Sequence, residues 1–184
     1  MLLRCETKIN GFFELRPKII FDDRGSFVKV FNKSSFIDLG LSSDWSEQYY
    51  SSSKKGVLRG MHFQVPPFHH TKLVYCIEGA VLDVALDLRV GSSTYGQSAS
   101  LVLSHEDGNM AYLESGLAHG FYVLSDSATL IYNVTSEYSE NHDSGIHWDS
   151  FGFVWPSNPS SISNRDAGLV TLDKFHSPFE LQDM

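Results

Sequence analysis

The chain has 184 residues, a formal net charge of −8 and only two cysteines. That balance excludes a nucleic-acid-binding surface, which needs a concentrated excess of Lys and Arg, and a disulfide framework, which needs more thiols at regular spacing. With 42% hydrophobic and 20% charged residues and no apolar run near the length of a membrane span, it reads as an ordinary globular chain, expected to form one domain over residues 1–184.

In chain order, strands are predicted over "KIIF" (18–21), "SFVKVF" (26–31), "GVLRGMHF" (56–63), "KLVYCIEG" (72–79), residues 81–88, "SASLVLS" (98–104), "NMAYLES" (109–115), "HGFYVLS" (119–125) and "ATLIYNVTSEY" (128–138). The period of two is plainest in 81–88, where Leu82, Val84, Leu86 and Leu88 share one face and Val81, Asp83, Ala85 and Asp87 the other. Turn formers such as "DDRG", "HEDG" and "SDSA" separate the runs at the short spacing of an all-β sandwich or barrel. One short helix is predicted around "SSFIDLG" (34–40), and the polar tail after Trp155 is expected to pack back onto the strands. The start "MLLRCETK" sets charges where a signal peptide needs its apolar stretch, so a cytoplasmic protein is expected.

In a small barrel the side chains alternate inward and outward, so a polar residue on the inner face has to be satisfied or functional. The stretch "GVLRGMHFQVPPFHHTKLVYCIEG" crowds an arginine, three histidines and a lysine into one such approach. Parity puts Val57, Arg59, Met61 and Phe63 on one face and Leu58, Gly60, His62 and Gln64 on the other, and the sequence leaves open which face is inner. Taken singly, His62 and Tyr132 are strand residues that packing and hydrogen bonding would explain, and Lys72 a solvated strand start. A metal set is not formed: the position two after His62 is Gln64, and adjacent His69 and His70 point to opposite sides of a strand. No G-x-S-x-G elbow, G-x-G-x-x-G turn or P-loop occurs, and Cys76 sits in an apolar strand like an ordinary buried thiol.

Taken together, "DDRGSF" (22–27), "VLRGMHFQVPP" (57–67), "TKLVYCIEGAVLDVALDLRVGSSTYGQ" (71–97), "ESGLAHGFYVLSD" (114–126), "LIYNVTSEY" (130–138), "GIHWD" (145–149) and "WPSNPSSISNRD" (155–166) follow one another in order. From about Lys8 to Asp166 the chain resembles the dTDP-4-dehydrorhamnose 3,5-epimerases. The resemblance implies an all-β, cupin-like double-stranded β-helix (jelly roll) with short helical segments. It also implies a homodimer that works without a cofactor on a nucleotide-diphosphate 4-keto-6-deoxyhexose, in deoxysugar biosynthesis. By the same resemblance His62 is the base, Asp166 orients it, Lys72 steadies the enolate oxygen and Tyr132 returns a proton from the opposite face of the ring. Arg59 matches a diphosphate-gripping arginine, Tyr138 an aromatic that stacks on the base, and Arg24, His119, Asp143 and Arg165 fall at substrate-contact positions. Two alternatives stay open: an epimerase acting at C3 or C5 only, and a cupin-fold sugar-binding module without chemistry, against which the joint presence of base and acid argues.

The chain departs from the family pattern at Lys29, where a glutamate is usual, and in "SEQYY", where Glu47, Gln48 and Tyr49 replace a Gln-x-Asn segment. These positions serve the nucleotide in the family, so Lys29, Glu47 and Gln48 are candidate substrate contacts with an altered preference for the base. Arg59 and His62 also have opposite strand parity, so the backbone between them is expected to bulge if both serve one site.

Overall fold

The computed structural model describes residues 1–181, so the last three positions of the single-domain reading, 182–184, lie outside the described residues. Thirteen strands run in chain order: β1 (Leu2–Glu6), β2 (Phe12–Pro17), β3 (Ile19–Asp22), β4 (Gly25–Val28), β5 (Glu47–Lys54), β6 (Leu58–Gln64), β7 (Lys72–Glu78), β8 (Ala80–Asp87), β9 (Ser98–Ser104), β10 (Met110–Leu113), β11 (Leu117–Val123), β12 (Ser127–Val134) and β13 (Asp143–Gly145). Among the described residues there are also two short α-helices, α1 (Lys33–Asp38) and α2 (Asn164–Ala167), and two single-turn 3-10 helices, Glu140–His142 and Leu172–Lys174.

Six strands form one antiparallel sheet in the order β1-β2-β10-β7-β12-β5, and five form a second in the order β13-β6-β11-β8-β9. The two face each other across Val74, Cys76, Val81, Ala85, Phe121, Val123, Leu130 and Tyr132, which gives the all-β jelly roll expected from the strand pattern. The inner face of β8 is therefore the one carrying Val81, Asp83, Ala85 and Asp87, while Val84, Leu86 and Leu88 lie outside beneath the C-terminal tail. That tail does fold back: Phe175 and Phe179 pack edge-on to Phe63, and Trp155 joins the same cluster. Burying Phe179, 1% exposed, contributes about 2 kcal/mol by area, enough to fix the path of the segment that carries α2.

Four strands have no counterpart in the sequence reading. β5, "EQYYSSSK", lacks apolar alternation because it is a sheet edge whose inward residues line a polar cavity. In β2, Phe12 belongs to the core between the sheets and Phe13 to the opposite face under Phe36 and Leu41, so burial on both sides erases the period of two. β1 and β13 are short strands at sheet edges. The predicted strand at 26–31 ends at Val28 and the one at 128–138 at Val134. α1 matches the predicted helix within a few residues: the Asn32 side chain accepts from the Ser35 amide at 3.1 Å, capping a turn and a half that buries Phe36.

Candidate active site

A cavity of about 350 Å³ opens between the two sheets. From the five-stranded sheet it is lined by Arg59, His62, Gln64 and His119, and from the six-stranded sheet by Glu47, Tyr49, Ser51, Lys72 and Tyr132. Tyr138, Asp143 and Arg165 close its rim.

Arg59 and His62 reach the same cavity because β6 bulges. His62 pairs with His119 and Arg59 with Phe121, so three steps along β6 span two along β11 and the parity conflict disappears. Gly60 permits this: its φ is +141°, and a Cβ there would lie 2.5 Å from the Gly120 Cα. The Arg59 guanidinium is held by the Ser53 hydroxyl at 2.9 Å.

His62 Nε2 lies 2.8 Å from Asp166 Oδ1, while Asp166 Oδ2 accepts from the Gly60 amide at 3.2 Å. The carboxylate is delivered by α2, whose N-cap Ser163 accepts from the Asp166 amide at 3.0 Å. Burial pushes the His62 imidazolium down, the Asp166 hydrogen bond and charge oppose this, and the balance lies below the ordinary value of about 6.5. For Asp166 burial pushes upward, yet His62, the Gly60 amide and Ser163 together hold the carboxyl below the usual range. Lys72 Nζ donates to the His62 carbonyl at 3.0 Å, and burial lowers the ammonium to about 8. His119 Nε2 sits 2.7 Å from Asp83 Oδ2, with both residues buried. The Tyr132 hydroxyl is 3.0 Å from Ser51 Oγ, and burial raises its pKa well above that of a free phenol.

At the rim Arg165 pairs with Asp143 at 2.7 Å, and Tyr138, exposed, donates its amide to Glu47 at 2.7 Å. Three of the candidate residues are not brought to this cavity. Arg24 pairs with Asp22 on the exposed β3–β4 hairpin, and Lys29 lies exposed just past it. Gln48 points to the other side of β5, where its amide donates to Asn133 at 2.6 Å. Asp83, through His119, and Ser51 join the site without having been singled out as candidates, and Tyr49, noted only as a departure from the family pattern, lines it as well. Asp83 had a signal, an acid on one face of an otherwise apolar strand. Among the described residues no group of three or more His, Cys, Asp or Glu side chains is arranged to hold a metal ion.

The sequence model of the dTDP-4-dehydrorhamnose 3,5-epimerases matches residues 6–174. The chain belongs to the dTDP-4-dehydrorhamnose 3,5-epimerase family. An Escherichia coli member is 39% identical over 172 residues, covering 91% of this chain and 93% of its own. A crystal structure of the Legionella pneumophila member of this family, with dTDP-4-keto-L-rhamnose bound, superposes with a TM-score of 0.91 at 34% identity, covering 96% and 95% of the two chains. A 3'-monoepimerase from Streptomyces bikiniensis in complex with dTDP-quinovose superposes with a TM-score of 0.87 at 31% identity, covering 92% and 87%.

Proposed function

We propose that this chain inverts C3 and C5 of a dTDP-linked 4-keto-6-deoxyhexose by proton abstraction and opposite-face return, with His62, Asp166, Lys72 and Tyr132 as the reacting set. The observation that carries the reading is that His62 and Tyr132 stand on facing sheets of one cavity, with the Lys72 ammonium beside the His62 carbonyl. With Nε2 committed to Asp166, Nδ1 is the free nitrogen of His62. It takes the proton from the carbon next to the C4 ketone; the C–H electron pair forms a double bond between that carbon and C4, and the C4=O π pair moves onto the oxygen, giving an enolate. The Lys72 ammonium donates to that oxygen, in a dry site where the interaction is stronger than in water. Tyr132 then delivers its hydroxyl proton to the other face of the same carbon, which inverts it. The cycle closes when the His62 imidazolium gives up the proton it took and the Tyr132 phenolate, the form that burial disfavours, takes one back.

In this reading Arg59 grips the diphosphate, Tyr138 stacks on the base, and Glu47, His119, Asp143 and Arg165 line the path of the substrate, which their lining of the same cavity supports. The exposed hairpin carrying Arg24, with Ile20, Phe21 and Phe27 uncovered, supports a homodimer in which Arg24 and Lys29 serve the partner's cavity. Two free thiols, Cys5 and Cys76, accord with a cytoplasmic enzyme.

Incubation with dTDP-4-keto-6-deoxyglucose in deuterated water, followed by NMR, tests the reading. Deuterium at both C3 and C5 with inverted product is expected. Exchange at C3 alone would assign the chain to monoepimerases such as the Streptomyces relative, and no exchange at either carbon would remove the catalytic reading.

A further inference from the structure

We infer that Tyr49 is a positioning residue for Tyr132, fixing the ring whose hydroxyl returns the proton; this rests on the reading of Tyr132 as the acid. Tyr49 stands directly opposite Tyr132 on the neighbouring strand, on the same inward face. The ring centroids are 4.8 Å apart and the planes differ by 16°, so the two phenols lie stacked. Tyr132 also packs into the core between the sheets, meets His119 edge-on at 6.2 Å and has the Ser51 hydroxyl at 3.0 Å, but Tyr49 is the ring stacked on its face. Without the Tyr49 ring, one side of Tyr132 would open to the cavity, and the phenol could turn away from the carbon it must reach.

The resemblance to the family implies a nucleotide contact at this position, yet here the ring stacks on Tyr132. The Tyr49 hydroxyl makes no hydrogen bond among the described residues, and burial, with Glu47 and Asp143 nearby, pushes it up to about 12. It therefore stays protonated at neutral pH and is no rival base to His62. β5 is an edge strand bonded only to β12, so the stack also fixes the inner corner of that edge.

The test compares wild type, Tyr49→Phe, Tyr49→Ala, Tyr132→Phe and the Tyr49→Ala/Tyr132→Phe pair on dTDP-4-keto-6-deoxyglucose in deuterated water, with dTDP binding by calorimetry. Tyr49→Ala is expected to lower kcat for inverted product about tenfold while KM, dTDP affinity and deuterium wash-in stay within about twofold. Tyr49→Phe, which keeps the stack, should match wild type, and the double variant should be no worse than Tyr132→Phe alone. Should Tyr49→Ala lose wash-in along with inversion, Tyr49→Leu restores apolar cover to the fold and is expected to show the same split. A main effect on KM and dTDP affinity would make Tyr49 a nucleotide contact and overturn the inference, as would a ratio of wash-in to inversion that stays at the wild-type value in both Tyr49→Ala and Tyr49→Leu. If Tyr132→Phe itself inverts normally, the assignment of Tyr132 as the acid is what has failed.

Discussion

The two walls of the cavity hold their polar groups in opposite ways. On the five-stranded wall each imidazole faces a buried carboxylate, His62 against Asp166 and His119 against Asp83. On the six-stranded wall Lys72 donates to a backbone carbonyl and Tyr132 meets a neutral serine, with no ion-pair partner for Lys72 among the described residues. A paired imidazole is ready to take up a proton, because the carboxylate stabilises the imidazolium that forms. A desolvated ammonium without a counter-ion, and a phenol held protonated by burial, instead gain most when negative charge arrives in the cavity. In the proposed mechanism one wall accepts a proton and the other stabilises the anion and returns one.

The largest break in that asymmetry is His62→Ala, which should lower turnover about 100-fold or more, the scale of a lost general base. Circular dichroism should show a folded protein, since the His62 side chain is 27% exposed and, among the described residues, its ring bonds only Asp166. Turnover near wild type would reduce His62 to a structural strand residue. Asp166→Asn comes next, with a loss of about tenfold or more as the hold on the tautomer weakens. Its sign is specific: the Asp166 charge raises the His62 pKa against burial, so the acid limb of the rate profile should move to lower pH. An acid limb that stays in place would show that another group sets it.

The pH profile separates the walls without mutation. The proposed mechanism requires neutral His62 and charged Lys72, so kcat/KM should fall on the acid side at a pH lower than that of an ordinary imidazole and on the alkaline side through about pH 8. Stability should run the other way on the alkaline side. Between the folded Lys72 value of about 8 and its ordinary 10.5 the unfolded chain binds more protons, so stability rises with pH while activity falls. His70, lowered by burial to about 3, makes stability fall as pH drops from about 6.5 toward 3. Denaturant melts across pH 4 to 10, set beside rates at the same pH, check both signs. Parallel loss of activity and stability above pH 8 would exclude Lys72 as the group responsible.

What could be read from the residues follows the same division. β8 and β12 were legible because polar residues fall at alternate positions in their apolar runs, Asp83 and Asp87 in β8 and Ser127, Thr129 and Asn133 in β12. β5, which carries Tyr49 and Ser51, was not, because an edge strand facing a polar cavity has no apolar period to detect. Strand parity exposed the conflict between Arg59 and His62 but not its cure, since a bulge depends on Gly60 meeting Gly120 across two strands. Asp166 lies in a polar tail with no periodic signal, and only the ordered motifs pointed to it. Its place behind His62 depends on a long-range fold-back anchored by Phe175 and Phe179.

The smallest expected effect lies outside both walls. A glutamate at position 29 would accept a hydrogen bond from the N–H of thymine, whereas the Lys29 ammonium has three donors and no acceptor, which suits the ring nitrogen of cytosine instead. Lys29 is exposed and does not line the cavity of its own chain, so any effect on the base runs through a second copy. Glu47 does line that cavity, with one carboxylate oxygen engaged by the Tyr138 amide, and it offers an acceptor from the same chain. With this acceptor already present, Lys29→Glu should shift the preference for dTDP over CDP by only about threefold, and only under conditions where the protein is dimeric. Calorimetry with dTDP, UDP, CDP and GDP on wild type and Lys29→Glu, paired with sedimentation equilibrium, measures both. A strong wild-type preference for dTDP that the substitution leaves unchanged would mean that the base is read entirely within one chain, with Glu47 the first residue to test.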